Sequence, residues 1–401
     1  MNMPLSGKHI LIIVENLPVP FDRRVWQEAN TLSESGAHVS IICPQMKGYT
    51  RHYEVVNGIE IYRHPLPLEA RVAIGYLAEY GAAIYWEIKL AKQIYRKLPF
   101  QVIHGCNPPD LIFLTAMLFK KRGVEYVFDH HDINPELYLA KFNKKGLFYK
   151  IVCFLEKMTF KYSIASIATN ESYKQIAIKR GGMRPENVRV VRSGPKLERL
   201  KLMPPNNKYL NGRKYLVGYL GVIGKQEGIE LLLQSIKHIL DKRQDIQFAI
   251  VGGGSDLALY QQMSIDHKLG DYVDFYGRVS DRVLLEVLNS ADVCVNPDKP
   301  TEMNNLSTMN KIMEYMALKK PIVQYELKEG RYSAQRASLY AKNNDTLDFA
   351  NKIIQLISDK PEREKMGEFG YQRVVNELSW DHESKKLIKF YKDLVFKINI
   401  S

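Results

Sequence analysis

The residues of this chain best suited to chemistry fall in one run, Ser307-Thr308-Met309-Asn310-Lys311, with Glu314 one turn further on. Short polar side chains from Asn304 to Thr308 can cap a helix, and Ile312, Met313, Met316 and Ala317 follow at helical spacing. A helix is therefore predicted from about Ser307 to Lys319 and Lys320, where Pro321 stops it. Its first-turn amides lack intrahelical partners and favour an anion, and Lys311 would add a mobile point charge; a diphosphate suits that combination. Glu314 lies on the face shared by Asn310 and Lys311, where its carboxylate can accept two hydroxyl protons from a ribose. The same letters also spell an ordinary amphipathic helix with a surface Lys/Glu pair, so the surroundings must decide.

Two further groups invite the same question. Asp129-His130-His131-Asp132 follows an apolar run, and adjacent histidines on extended chain point to opposite faces, so at most one can meet a ligand. Together they make a poor metal site despite the flanking aspartates, and a polar core histidine is the plain alternative. Gly218-Tyr-Leu-Gly221-Val-Ile-Gly224-Lys225-Gln-Glu-Gly228 joins an apolar run to a helical one through glycines. Such a loop lets a ligand close to the backbone, with Lys225 for charge, or it is simply a tight turn. Gly252-Gly253-Gly254 lacks the spacing of a dinucleotide fingerprint.

These groups sit at the ends of predicted strands. Ile10–Val14, Val39–Cys43, Ile59–Tyr62, 101–105, 126–129, 166–169 and 188–191 read as strands, with helices between them at 22–36 and 76–96. After linker-like Leu202-Met-Pro-Pro-Asn-Asn-Lys208, a second series runs through 216–220, a helix at 228–240, then 247–251, 273–276, 291–298 and Ile322-Val323. Repeated alternation of buried strands and helices predicts doubly wound parallel sheets, and so an α/β chain of two Rossmann-like domains facing a central cleft. The boundaries predicted are 1–200, 201–379 and a C-terminal helix within 380–401 that packs back across both.

At 401 residues, 45% hydrophobic and 25% charged, the composition is that of an ordinary folded protein. No apolar run is long enough to span a membrane, and the start of the chain lacks a signal-peptide pattern, which predicts a cytoplasmic protein. Cys43, Cys106, Cys153 and Cys294 stand far apart beside apolar runs, as reduced thiols do. Residues 1–200 hold 28 Lys+Arg against 18 Asp+Glu, ten of the net +13. Part of that charge lies in Lys141–Lys161, where lysines alternate with bulky apolar residues at helical spacing. Such a segment suits an anionic membrane surface, or its apolar side is core. No nucleic-acid-binding module accompanies the charge.

Taken together the pieces resemble the nucleotide-sugar glycosyltransferases of family 4, which have the GT-B fold. The resemblance covers nearly the whole chain and rests on Gly277-Arg-Val-Ser-Asp281 with Leu285, Ala291-Asp-Val293, Asn310-Lys-x-x-Glu-Tyr-Met-Ala-x-x-x-Pro321, and the linker words Val191-Arg-Ser-Gly-Pro195 and Leu197-Glu-Arg199. It implies a second domain that binds the donor: Glu314 on the ribose, Gly277 and Arg278 by the base, and residues 307 to 311 by the diphosphate and sugar. Gly221 and Lys225 belong to the glycine loop of the same domain. In the first domain it implies His131 as the active-site histidine and the loop Pro18–Arg24, with Asp22 and Arg23, on the acceptor side. Two departures stand out. The first of the family's paired glutamates falls at Leu306, and the usual Arg and Lys of the glycine loop fall at Val222 and Glu227. A subgroup with Ser-Thr-x-Asn-Lys, found among polysaccharide-assembly transferases, shares the first.

The expectation is a retaining transferase that moves a sugar from a UDP-linked nucleoside diphosphate donor to a polyprenyl-diphosphate-linked glycan acceptor. No metal or other cofactor is expected, nor nucleic acid, and the enzyme would work at the inner face of the plasma membrane. A nucleotide-sugar epimerase on the same scaffold, or a non-catalytic nucleotide-sugar-binding partner, would read similarly.

Overall fold

Every side chain of β1 (His9–Val14) is buried, which puts this strand inside a sheet covered on both faces. The computed structural model describes residues 3–66 and 73–395. In it β1 lies between β2 (His38–Pro44) and β5 (Val102–Cys106), parallel to both. With β3 (Tyr53–Val56), β4 (Ile59–His64), β6 (Glu125–His130), β7 (Ala165–Ala168) and β8 (Val188–Val190) the sheet order is β3-β4-β2-β1-β5-β6-β7-β8. The chain winds outward from β1 to β4, then returns to β5 and winds the other way. The order thus reverses between β1 and β5, where such sheets present their ligand crevice.

Strand β3 was not expected. Its Tyr53 and Val55 are exposed, so it lacks an apolar signature, and it pairs antiparallel with β4. The signal was Asn57-Gly58: both residues are left-handed, with φ 53° and 78°, as a two-residue hairpin turn requires.

Helices α1 (Arg23–Glu34), α2 (Ala73–Lys97), α3 (Phe113–Lys120), α4 (Asn134–Phe142), α5 (Leu147–Tyr162) and α6 (Glu171–Lys179) connect the strands. The segment Lys141–Lys161, read as one helical stretch, is divided. Asn143 takes a left-handed conformation (φ 48°) that ends α4, and α5 restarts after Gly146.

The second sheet is wholly parallel, in the order β11-β10-β9-β12-β13-β14. It comprises β9 (Tyr215–Leu220), β10 (Ile246–Val251), β11 (Val273–Gly277), β12 (Val293–Asn296), β13 (Ile322–Tyr325) and β14 (Ser338–Ala341), and its order reverses between β9 and β12. Around it lie α7 (Ile229–Leu240), α8 (Leu257–Asp266), α9 (Asp281–Ser290), α10 (Glu302–Leu306), α11 (Asn310–Ala317), α12 (Lys328–Ala334), α13 (Thr346–Ser358) and α14 (Lys360–Arg373). Alternate strand residues feed two cores: Val295 and Val323 meet α7 and α13, while Cys294 and Ile322 meet α9 and α11.

The helix predicted from Ser307 begins instead at Asn310. The polar run before it is divided between α10, capped by Thr301 Oγ1 accepting from Asn304 N at 3.1 Å, and a connecting turn; Met309 holds the N-cap position of α11 without a side-chain cap. Its end is set by Lys319 in the left-handed conformation (φ 57°), with Lys320 N–H donating back to Tyr315 O.

The chain divides into two compact units, Met1–Ser193 with Glu383–Ser401, and Gly194–His382. Residues 194–200, expected in the first domain, belong to the second. The tail helix α15 (Trp380–Phe390) begins in the second unit, and from Glu383 the chain belongs to the first. Phe396 and Lys397, the end of the predicted tail helix, lie outside the described residues.

Candidate active site

In the second unit, three glycine loops interlock at the strand ends. Gly221 N–H donates to Val251 O, Ile223 N–H to Gly253 O, and Gly252 N–H to Gly277 O. Gly252 has φ 144°, and a Cβ there would fall 1.7 Å from Gly221 O; one at Gly228 would fall 1.9 Å from Pro297 O. Close backbone approach is therefore why these positions are glycine, and it brings Gly221, Gly277 and exposed Arg278 to one edge.

Lys311 joins them from α11. Its Nζ lies 2.8 Å from Asp298 Oδ1, 4.9 Å from the centre of the Tyr219 ring, and 3.3 Å from where a Gly221 Cβ would stand. The side chain is 11% exposed, so it is not the mobile charge the sequence suggested but one already engaged. Burial pushes the carboxyls of Asp298 and Glu227 upward, against the pull of Lys311 on both. Phosphates arriving here would compete with Asp298 for the ammonium. The Asn296 amide faces the Asp298 carboxyl and helps hold it down, while both amide atoms of buried Gln324 lack a hydrogen-bond partner among the described residues. Asn296 and Gln324 are register partners on β12 and β13.

The remaining predicted donor residues are spread along this edge. Ser307, Thr308 and Met309 form the half-buried turn before α11, with Ser307 Oγ donating to Met303 O at 2.7 Å, and Asn310 is exposed at the helix start. Lys225 is exposed, and so is Val222, at 60%. Glu314 is nearly buried and accepts from Arg199 Nη2; Arg199 Nη1 also reaches Asp281 Oδ2 at 3.4 Å. A linker arginine thus holds the carboxylate expected to meet the ribose.

In the first unit the site forms where the strand order reverses, around Asp129 at the end of β6. Its Oδ1 accepts from Arg24 Nη2 at 2.9 Å, and its Oδ2 accepts from His131 Nε2 and from His104 Nε2 at 3.2 Å. Arg24 also pairs with Glu28 at 2.9 Å, one helical turn along α1, and Nη1 donates to Val191 O. Burial alone would raise the Asp129 carboxyl, but Arg24, His131 and His104 hold it well below the carboxylate range. Burial opposes charge on His104 and His131 too; Asp129 outweighs it at both, lifting His131 and taking His104 to about 9. Asp129 thus favours the protonated ring of His131, the form suited to orient or stabilise negative charge.

His130 has the opposite environment. It packs against Phe128, Phe160 and Tyr173, and burial drives it down to about 3. Asp22 is the N-cap of α1, its Oδ1 accepting from Val25 N at 3.1 Å, while Arg23 is exposed. The sequence reading passed over Arg24, Glu28, His104 and Asn107. Asn107 Oδ1 accepts from the backbone N–H of both His131 and Asp132, and its Nδ2 donates to Asp110 Oδ1 and Asp132 O. A polar residue closing an apolar strand was the available signal. Glu28, Cys106, Asp129 and His131 bring ligand-type atoms within 4.8 Å of one another, but Arg24 and His104 already engage the carboxylates. All four cysteines are free thiols.

Two doubly wound units in one chain, each with polar groups gathered where its strand order reverses, define the GT-B architecture of glycosyltransferases. A sequence profile described as Glycosyltransferase Family 4 matches residues 22–199, and one described as Glycosyl transferases group 1 matches residues 214–359. The chain belongs to this family and is a glycosyltransferase. Among its relatives is the capsular polysaccharide biosynthesis glycosyltransferase CapM of Staphylococcus aureus, 25% identical over 76% of this chain and 81% of the relative. Among solved structures, sucrose-phosphate synthase from Thermosynechococcus elongatus superposes with a TM-score of 0.79 at 18% identity, covering 97% of this chain and 99% of that one. HepE of Anabaena, solved with UDP and glucose, gives 0.71 at 13% identity, covering 96% and 99%. No helix among the described residues is long and apolar enough to cross a membrane.

Proposed function

We propose that this glycosyltransferase transfers a sugar, with retention of configuration, from a UDP-sugar to a polyprenyl-diphosphate-linked surface glycan. The observation that carries the donor half is the convergence of Gly221, Lys311 and the α11 N-terminus beside β9 and β12, with Glu314 one turn further along. Helix amides with Lys311 and Lys225 would take up the charge of the departing diphosphate without a metal. Glu314 would receive the ribose hydroxyls, with Arg199 fixing its carboxylate. In the first unit, His131, held by Asp129, would orient the transferred sugar and the acceptor. That HepE was solved with UDP and glucose supports a UDP-linked donor, and the likeness to CapM supports a glycan acceptor.

The lipid-linked acceptor and work at the inner face of the plasma membrane find support in α5. Leu147, Ile151 and Phe154 fall at i, i+4 and i+7 and are 73%, 42% and 57% exposed, with Lys144, Lys145, Lys150 and Lys157 close in sequence. An exposed apolar stripe flanked by lysines suits an anionic bilayer.

The test is a thermal shift with UDP, GDP, ADP and dTDP, without added metal, on wild type, Glu314→Ala and Glu314→Gln. UDP should raise the melting temperature selectively, and both variants should lose most of the rise. Equal shifts with all four nucleotides, or none, would remove the donor assignment.

A further inference from the structure

The second unit's donor residues gather at one strand-end edge, but in the first unit the group around His131 reaches into a part of the chain that carries no predicted role. Tyr391, which directly follows α15, is fully buried, and its hydroxyl lies 2.5 Å from His104 Nδ1. The His104 ring is itself fully buried, stacked on the Tyr391 ring with centroids 6.2 Å apart and planes 13° from parallel. Its other nitrogen, Nε2, points to Asp129 Oδ2 at 3.2 Å and Glu28 Oε2 at 3.5 Å. Asp129 Oδ2 is the same atom that accepts from His131 Nε2.

We propose that the C-terminal segment is a working part of this site: Tyr391, by anchoring His104, sets how much of Asp129 is left to hold His131 and so tunes that grip. The proposal rests on the reading of His131 as a site residue. Tyr391 and His104 are positioning residues, since neither would touch the sugar. The physical argument is a competition. One carboxylate oxygen serves two imidazole N–H donors, so whatever anchors the first ring decides how much of that oxygen is left for the second. With His104 charged, its Nδ1–H needs a buried acceptor, and the Tyr391 oxygen is that acceptor. Other charged or titratable groups facing these residues are Arg24 and Glu28 from α1, Cys106 from β5, and His130 and Asp132 on either side of His131. Of these, Arg24 is bound to Oδ1 of Asp129 and leaves Oδ2 to the two histidines.

The test is a pH titration of histidine ring nitrogens by NMR in the full chain labelled with 15N-histidine, with signals assigned by their loss in His104→Gln and His131→Gln. In Tyr391→Phe the His104 proton loses its acceptor, so the proton affinity of His104 should fall about tenfold or more. His131, left with a larger share of Asp129, should bind its proton more tightly. Unchanged titration of both rings in a Tyr391→Phe protein that melts like wild type would overturn the proposal. The reading beneath it is checked separately by UDP release from UDP-glucose. Loss of kcat with unchanged KM in both His131→Gln and Tyr391→Phe supports a positioning role. Wild-type turnover in His131→Gln, with the titrations shifted as expected, would retain the hydrogen-bonded chain but overturn its place in the reaction.

Discussion

The two units reach the same topology and fill its crevice in opposite ways. Where the first sheet reverses its order, polar groups are engaged with one another: Asp129 uses both oxygens and His104 both ring nitrogens. Glu28 and Arg24 Nε there rely on ion pairing alone, and where the second sheet reverses, Lys311 has one carboxylate partner and the Gln324 amide has no hydrogen bond among the described residues. Mutually satisfied buried groups fix orientations, whereas unsatisfied ones keep a free-energy gain in reserve for whatever pairs with them. On the function proposed above, the first unit would aim a histidine and the second would receive the donor.

The contrast is broken most severely at Asp129. Asp129→Ala leaves His131 without its carboxylate and Arg24 and His104 with Glu28 alone, and should lower the unfolding free energy by about 3–5 kcal/mol in urea denaturation. Asp129→Asn, which keeps the shape, should lose less. If Asp129→Ala unfolds like wild type, the first cluster is not the satisfied network described.

In the second unit, Lys311→Met should weaken UDP binding roughly 10- to 100-fold, the worth of a charged hydrogen bond. Asp298→Asn releases the ammonium from its partner and should tighten UDP binding by about fivefold, on the scale of a weak ion pair. Isothermal calorimetry reads both, and an Asp298→Asn protein that binds UDP more weakly would mean the carboxylate assists the ligand rather than competing with it.

Stability against pH sharpens the comparison from a different side. His104, raised to about 9, gives stability that is complete below about pH 6.5 and lost as pH rises through 9. His130, lowered to about 3, destabilises the fold progressively as pH falls from about 6.5 toward 3, because the unfolded chain takes up the proton first. The unfolding free energy should therefore peak near neutrality, and His104→Gln should flatten the alkaline side by about 1–3 kcal/mol.

The smallest effect belongs to the surface of α5. Phe154→Asp removes an exposed apolar group, so stability should change by less than about 0.5 kcal/mol, while sedimentation with phosphatidylglycerol vesicles should drop. Wild-type sedimentation in that variant would detach this face from the membrane.

Much of this was legible in the letters. Continuous apolar runs such as Ile10–Val14 can only be buried strands, and glycine and proline punctuation between them announces doubly wound sheets. The helix in the Asn310–Pro321 segment was equally legible, and its spacing puts Lys311 and Glu314 on one side. Neighbours on extended chain face opposite ways, so the letters allowed at most one of His130 and His131 to meet a ligand; the resemblance, not the spacing, singled out His131. Other features depended on partners distant in sequence. Nothing near Lys311 announces Asp298, because that pairing requires β12 and α11 to be packed first. Arg24 looks like its exposed neighbour Arg23 until α1 turns one toward Asp129 and the other to solvent. Tyr391 resembles any aromatic residue of an amphipathic tail until the chain from Glu383 is assigned to the first unit and sets its hydroxyl against His104. Local sequence determines periodicity, turns and the chemical type of each side chain; which buried charge meets which is decided by packing, because in a low-dielectric interior a group is defined by the partner that folding delivers to it.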